Sequence, residues 1–535
     1  MKNTFIKYVW STAVLLFVFS CTDLDSELRG EFVGNIDDIN LPGVQTGSGG
    51  TTSDALSGPY SQLRNSGTAN HGGYFSVQGI TSDEMLIGAK GGDWFDGGVL
   101  VQLHEHSYTP SHGFINGTWT QQYAAINSCN ELLASELGAG ETAQIKALRA
   151  YFYWRLLDLY GRVKLITVSD QDQPQSTRQE VFNFVESELL ASLGITAVTA
   201  DMDLSTSPLG AANNAYRINR FAALGFLSKL YLNAEVYTGT PRFSEAAWAA
   251  SYIIDQGPYQ LCGDGCTVPN LGKRPGVSSD PDNLEGFAAV FAPNNEGNPE
   301  HIFTVNYDEA TGGGMNFSQM TLHYSSQFTW NLQDQPWNGY AALEDFYMSF
   351  DDNDERRAAS FIVGPQLDSG GLTILDYATD DGELPLNYTP EINELQPNSL
   401  REAGARLGKF SFKQFGRPEM DNDFTILRLG ELYLIRAEAM ARANSDWSLA
   451  LDDVNTVRAR AGVSAWSSIT PEMFLEERGR EMFQESSRRT DLIRFGKYDD
   501  AWWEKPVSED YKSVFPIPFE QIQASEGTLT QNPGY

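Results

Sequence analysis

Apolar residues recur at intervals of three and four in several long stretches of the chain, the spacing that aligns side chains on one face of a helix. From Thr142 to Tyr160 the apolar positions are Ile145, Leu148, Tyr151, Phe152, Leu156 and Leu159, and the pattern stops at Gly161. Arg178 to Leu193 repeats it after a connection containing Gln and Pro. Two further pairs follow the same plan, Tyr216 to Ala234 with Phe243 to Gln256, and Thr425 to Ala443 with Trp447 to Ala461. A single helical pattern covers Gln121 to Leu137. A helix pair cannot bury its apolar stripe alone, so three pairs closed by glycine predict tetratricopeptide-like stacking. Generic αα-hairpins are the alternative.

Between the second and third pairs the periodicity disappears. Leu261 to Asp423 is rich in Gly, Asn, Asp, Pro and aromatic residues, a composition that suits loops, short strands and short helices. The pattern therefore predicts a mainly α protein: a helical scaffold over about 46–260 and 424–535, carrying a loop-rich insertion with short strands over about 261–423. Elaborations of this kind are where binding residues concentrate.

The N-terminus has its own pattern. Lys2 and Lys7 precede an apolar run, Val9 to Phe19, that closes at Ser20 and Cys21. This is the layout of a secretory signal peptide over 1–20, too short to cross a bilayer comfortably. A cysteine at that point reads as a lipidation site, with 21–45 as the tether and 46–535 as a single domain; a plain secreted form is the alternative. The formal charge is −33, and removing Lys2 and Lys7 makes the chain more acidic still, which argues against nucleic acid and anionic lipid as partners. Cys262 and Cys266 stand in Cys-Gly-Asp-Gly-Cys, whose glycines permit a short disulfide loop; two thiols are the other reading. Two cysteines alone lack the ligands for zinc. Cys129, inside a helical pattern, reads as a small buried residue.

The C-terminal region carries a signature. It comprises Leu427 to Arg442, Asp452 to Gly462, Glu476 to Gly496, and Phe515-Pro-Ile-Pro518 leading to Gln531-Asn-Pro-Gly-Tyr535. These blocks resemble the SusD/RagB family of outer-membrane lipoproteins. Thr81-Ser-Asp-Glu-Met85, Gly91 to Gly98, Leu103 to His112 and Trp119 resemble its polysaccharide-binding branch. The resemblance implies a SusD-like fold, a lipid anchor at the cell surface, glycan capture, and delivery to a SusC-like TonB-dependent transporter. Asp23, Asp25 and Glu27 resemble an acidic export signal, or form a solvated acidic tether. It implies no enzyme activity and no cofactor. Peptide capture, in the manner of the family's RagB-like arm, is an alternative; a glycoside hydrolase is a more distant one, since two carboxylates can always be nominated among 70 acidic residues.

Glycan capture also has a physical rationale. Pyranose C–H bonds pack on the faces of Trp and Tyr, and the hydroxyl rim seeks Asn, Asp, Gln or Arg. Trp94, beside Asp93 and Asp96 in a glycine-flanked loop, suits a projecting indole; a Trp plugging the core beneath that loop is the alternative. Tyr324, Phe328, Trp330, Trp337, Tyr340 and Tyr347 form the densest aromatic cluster, interleaved with Asn331, Gln335 and Asn338. Trp94, Asp93, Trp330, Trp337, Tyr340, Tyr324 and Asn331 are therefore the candidate glycan contacts. His104, His106 and His112 invite a metal reading, but the spacing favours structural roles and no metal is expected. Asp351 to Glu355 lacks the glycine and distal glutamate of an EF-hand loop. Arg428, Glu431, Arg436 and Glu438, with the Arg and Glu of 477–494, read as an ion-pair lock among the last helices. The insertion has few basic residues before Arg356, which favours a neutral glycan, with a β-glucan such as laminarin as the specific guess.

Overall fold

The computed structural model describes residues 54–535 apart from 170, 212–213, 312 and 379–383. The leader, Cys21 and the acidic tether lie outside the described residues. Helix α1 (Gly113–Leu133) is followed by α2 (Ala139–Tyr160) and α3 (Arg178–Leu193). The first pair is α2 with α3. Its ends are set locally: Thr177 and Glu180 form a capping box, and α3 stops at Gly194 with φ 74°. The C-terminal half of α2 is buried all round, because α1 covers one side and α3 another.

The second pair is α4 (Arg220–Leu232) with α5 (Phe243–Gln256). Asn219 caps α4 through the amides of Phe221 and Ala222, so the helix begins four residues later than the periodicity suggests. Gly225 lets α4 approach Leu427 closely; a Cβ there would stand 2.0 Å from Leu427 Cδ2. The third pair is α6 (Leu429–Asn444) with α7 (Leu451–Arg460), followed by α8 (Pro471–Met482) and α9 (Arg488–Arg494). Helices α5 and α6 pack together, as do α3 and α4, so the pairs stack on their neighbours. Residues 55–535 form one compact unit.

The insertion holds short strands and short helices. Met85–Ile87 (β1), His301–Val305 (β2), Tyr340–Ala342 (β3) and Phe424–Arg428 (β4) are the strands that matter for function. β4 corrects the expected start of a helix at Thr425. Phe424, Thr425 and Ile426 are bulky or β-branched and buried, and Phe424, Thr425, Leu427 and Arg428 pair antiparallel with β2, so the helix begins only at Leu429. β1 pairs antiparallel with β3, Met85 opposite Ala342 and Ile87 opposite Tyr340. That pairing carries the loop after β1 to the segment before β3.

Beneath the insertion, the C-terminal helices are joined by buried ion pairs. Arg428 reaches Glu300 at 2.8 Å, Glu481 at 2.7 Å and Glu485 at 2.7 Å. Arg356 reaches Glu477 at 2.8 Å and Glu481 at 3.1 Å, and Arg460 contacts both Glu300 and Glu481. Arg494 pairs with Glu438 and Asp491, and Arg478 with Glu431 and Asp491. Burial alone would raise the Glu485 carboxyl, but Arg428 and Lys409 outweigh it and hold it at about 2. Asp354 caps the helix Glu355–Ser360 and pairs with Arg356 at 2.8 Å, which gives the Asp-rich turn a structural role.

Candidate functional site

The loop after β1 turns sharply. Lys90 and Asp93 exchange backbone hydrogen bonds at 2.8 and 3.2 Å, and Gly91, Trp94, Asp96, Gly97 and Gly98 all have positive φ. The segment before β3 is fixed by its own amides: those of Trp337, Asn338 and Gly339 donate to the carbonyls of Gln319, Leu322 and Met320 at 2.7 to 2.9 Å. The two segments meet through Trp94.

Trp94 is not the projecting indole that its glycine neighbours suggest. It is 9 % exposed, and its Nε1–H donates to the Trp337 carbonyl at 2.6 Å. Its ring lies over Gly339, where a Cβ would stand 2.5 Å from Trp94 Cζ2. Trp94 thus acts as a buttress. The residue it supports, Trp337, is 38 % exposed and presents indole surface to solvent.

Tyr340 is also no platform. It is fully buried, and its hydroxyl lies 2.8 Å from His71 Nδ1 and 2.7 Å from Ser76 Oγ. Tyr324 is half-buried at the edge of the face and its hydroxyl donates to exposed Asp93. Trp330 and Asn331 face a different neighbourhood. Trp330 packs edge-on against Phe412 at 5.3 Å, and its carbonyl accepts from the Phe415 amide. Asn331 ends a short helix at φ 50° and its side chain donates to Gln414 Oε1 at 3.1 Å. The structure therefore gathers Asp93, Trp94, Tyr324, Trp337 and Tyr340 into one neighbourhood, while Trp330 and Asn331 anchor the 412–416 loop.

Sequence reasoning missed three members of this neighbourhood. His71 is half-buried, with Trp94, Phe114, Trp337 and Tyr340 around its ring at centroid distances of 5.2 to 6.4 Å. Its one sequence signal is the pair Gly72 and Gly73 beside it. Tyr377, exposed, accepts a hydrogen bond from Gln335, two residues before Trp337. Phe95 is exposed beside Trp94.

The charges around this face are acidic outside and basic beneath. Asp93, Asp96 and Asp334 are exposed. Lys90 is buried, with Nζ donating to the Gly88 carbonyl at 3.1 Å. Burial, together with nearby Arg406 and Arg401 and against Asp93, brings its ammonium down to about 7. Arg406 is buried too and donates to Asn338 Oδ1 at 2.9 Å, bracing the residue after Trp337.

The three histidines of the 104–112 stretch hold the fold together. His104 lies in the helix Val99–His104 with Nε2 against the Trp503 carbonyl at 2.8 Å. His106 Nε2 meets the Thr81 carbonyl, its ring stacks on Tyr498 at 4.3 Å, and His112 Nε2 meets the Val99 carbonyl. Among the described residues no group of three His, Cys, Asp or Glu is arranged to hold a metal ion. Cys262 and Cys266 are joined by a disulfide, and the Cys129 thiol is buried and pushed up to about 12 by burial.

Residues 291–513 match the model of the SusD family. Over 504 residues the chain is 25 % identical to the starch-binding protein SusD of Bacteroides thetaiotaomicron, covering 86 % of this chain and 85 % of that protein. The chain is similar to the SusD family along most of its length. Its fold is that of solved SusD-like proteins. Surface glycan-binding protein A from B. thetaiotaomicron, solved in complex with laminarihexaose, superposes with a TM-score of 0.68 at 21 % identity, covering 89 % of this chain and 98 % of that one. Surface glycan-binding protein A from Bacteroides fluxus superposes with a TM-score of 0.66 at 19 % identity, covering 91 % of this chain and all of that one. Among the described residues no helix is long and apolar enough to cross a membrane.

Proposed function

We propose that this protein is a cell-surface lipoprotein that binds polysaccharide without cleaving it, anchored through Cys21, and passes the glycan to a SusC-like TonB-dependent transporter of the outer membrane. One observation carries the binding assignment: Trp94, packed over Gly339, holds the backbone carbonyl of Trp337, whose indole is open to solvent, and Tyr324, Asp93, Gln335 and Tyr377 bring polar groups to the same segments. A backbone fixed before binding leaves only the side chain to order when a sugar stacks on the indole. The family's named members, a starch-binding protein and glycan-binding proteins, support the same reading.

The exposed carboxylates of Asp93, Asp96 and Asp334 around the platform would repel a polyanion, so the ligand is a neutral glycan. The laminarihexaose complex of the neighbouring structure makes a β-glucan such as laminarin the first to test. A shallow platform with one or two exposed aromatics should give on the order of −5 to −7 kcal/mol, or roughly tens to hundreds of micromolar. Affinity electrophoresis against a panel of neutral and anionic polysaccharides tests the reading. Retardation by a neutral glycan, with no reducing ends released over prolonged incubation, is expected. Release of reducing ends would overturn the binding-only assignment.

A further inference from the structure

His71 lines this face beside Trp337, and its hydrogen bonds bear on which nitrogen carries the proton. Ser76 Oγ accepts from the Gly72 amide at 3.0 Å. Its single proton can go to the Tyr340 hydroxyl at 2.7 Å or to the Asn70 carbonyl at 3.5 Å, and we take the shorter contact as the one donated. The Tyr340 phenol, kept neutral by burial, then has its own proton for one acceptor, His71 Nδ1 at 2.8 Å. Burial holds the imidazole below 6.5 against the pull of Asp96, so the ring is neutral near pH 7. With Nδ1 accepting, the ring proton sits on Nε2. Among the described residues His71 Nε2 has no hydrogen-bond partner, and it is not a buried atom. The imidazole plane stands at 70° to that of Trp337, with centroids 6.4 Å apart, as a wall stands beside a floor.

We propose that His71 is a ligand-contacting specificity residue: its Nε2–H donates to a hydroxyl oxygen of the sugar stacked on Trp337, and the Gly72–Ser76–Tyr340 chain fixes it as a donor. This rests on the glycan-binding reading above and deepens it. A fixed donor with no other partner is left unpaired by a sugar lacking that hydroxyl, so the site selects a glycan with a free hydroxyl at this rim and discriminates against its deoxy analogue.

The test uses the full-length protein with laminarihexaose and maltohexaose as probes, by calorimetry, on wild type, H71F, H71Q and W337A. In parallel, long-range proton–nitrogen NMR on histidine-labelled protein reads the tautomer. The expected results are a loss of about tenfold for H71F, less than about threefold for H71Q, whose amide can replace the Nε2 donor, and no measurable binding for W337A. In the NMR experiment His71 should show a protonated Nε2 that shifts when the probe is added. Wild-type affinity in H71F, with binding abolished in W337A, overturns the His71 assignment and leaves the glycan reading standing. Wild-type affinity in W337A, or failure of wild type to bind either hexaose, overturns the platform and the assignment with it. A proton on Nδ1 overturns the donor chain whatever the ligand, and this readout stands even if H71F fails to fold.

Discussion

Trp337 and Trp94 divide the labour of one binding surface, and the division follows from exposure. Trp337 keeps 38 % of its surface in water against 9 % for Trp94, so replacing it with Ala removes less buried area than the same change at Trp94. W337A should abolish retardation on a glycan gel and lower the thermal midpoint less than W94A does. Trp94 is different, because its ring is packed and its N–H holds the Trp337 carbonyl. W94F keeps most of the packing but leaves that carbonyl without its donor. Glycan affinity should fall about three- to tenfold and the midpoint should drop as well. Equal thermal losses in W337A and W94A, measured by scanning fluorimetry, would contradict the division. The sequence showed that Trp94 sits in a turn, since Gly91, Gly92, Gly97 and Gly98 surround it. It did not show where the indole points, because that is decided by Gly339, a residue far along the chain whose missing side chain leaves room for the ring. Tyr340 was obscured for a similar reason. It sits in a strand whose partner, β1, comes from the opposite end of the scaffold.

At the scale of elements, periodicity located the helix pairs well, since Arg178–Leu193 and Phe243–Gln256 have the bounds their spacing implies. It also placed the Arg and Glu residues of the last helices at intervals that suit ion pairs. It could not supply the partners from the insertion: Glu300, Arg356 and Lys409 carry no periodic signal, yet they complete the cluster around Arg428, Glu481 and Glu485. The Arg428 guanidinium, at the end of β4, is held by Glu300 before β2, Glu481 in α8 and Glu485 beyond it. Replacing one member of a buried network leaves the others charged and unpaired, which costs more than the pair itself contributes. R428M should therefore destabilise the protein by about 3–5 kcal/mol in a denaturant titration. The fraction that remains folded should bind glycan with wild-type affinity, because Arg428 lies beneath the scaffold rather than on the Trp337 face. A loss of affinity at constant stability would place the network in binding instead.

For the molecule as a whole, the buried titratable groups set a stability profile with pH. All six histidines of the chain are held below 6.5, burial being the first cause in each. His104 and His301 fall to about 4. The unfolded chain therefore binds protons that the folded protein refuses between pH 6.5 and 4, so stability present above 6.5 is lost as pH falls through that window. Each of these two groups is worth roughly 3–4 kcal/mol. Glu485, at about 2, extends the loss below its ordinary 4.5. Two carboxyls oppose this. Burial raises Glu84 to about 8 and Asp423 to about 7, and their contributions are complete at low pH and lost as pH rises through those values. Lys90, at about 7, with Lys409 and Lys505 at about 8, restores some stability in more alkaline solution. The histidines outnumber the two carboxyls, so the thermal midpoint should peak at about pH 6.5 to 7 and fall toward pH 4. Scanning fluorimetry from pH 4 to 8 separates the groups. H301Q should flatten the acid limb, whereas E84Q should steepen it and reduce the decline between pH 6.5 and 8. An acid limb in H301Q parallel to that of wild type would remove His301 from the balance, and a wild-type midpoint higher at pH 4 than at pH 6.5 would show that Glu84 and Asp423 outweigh the histidines.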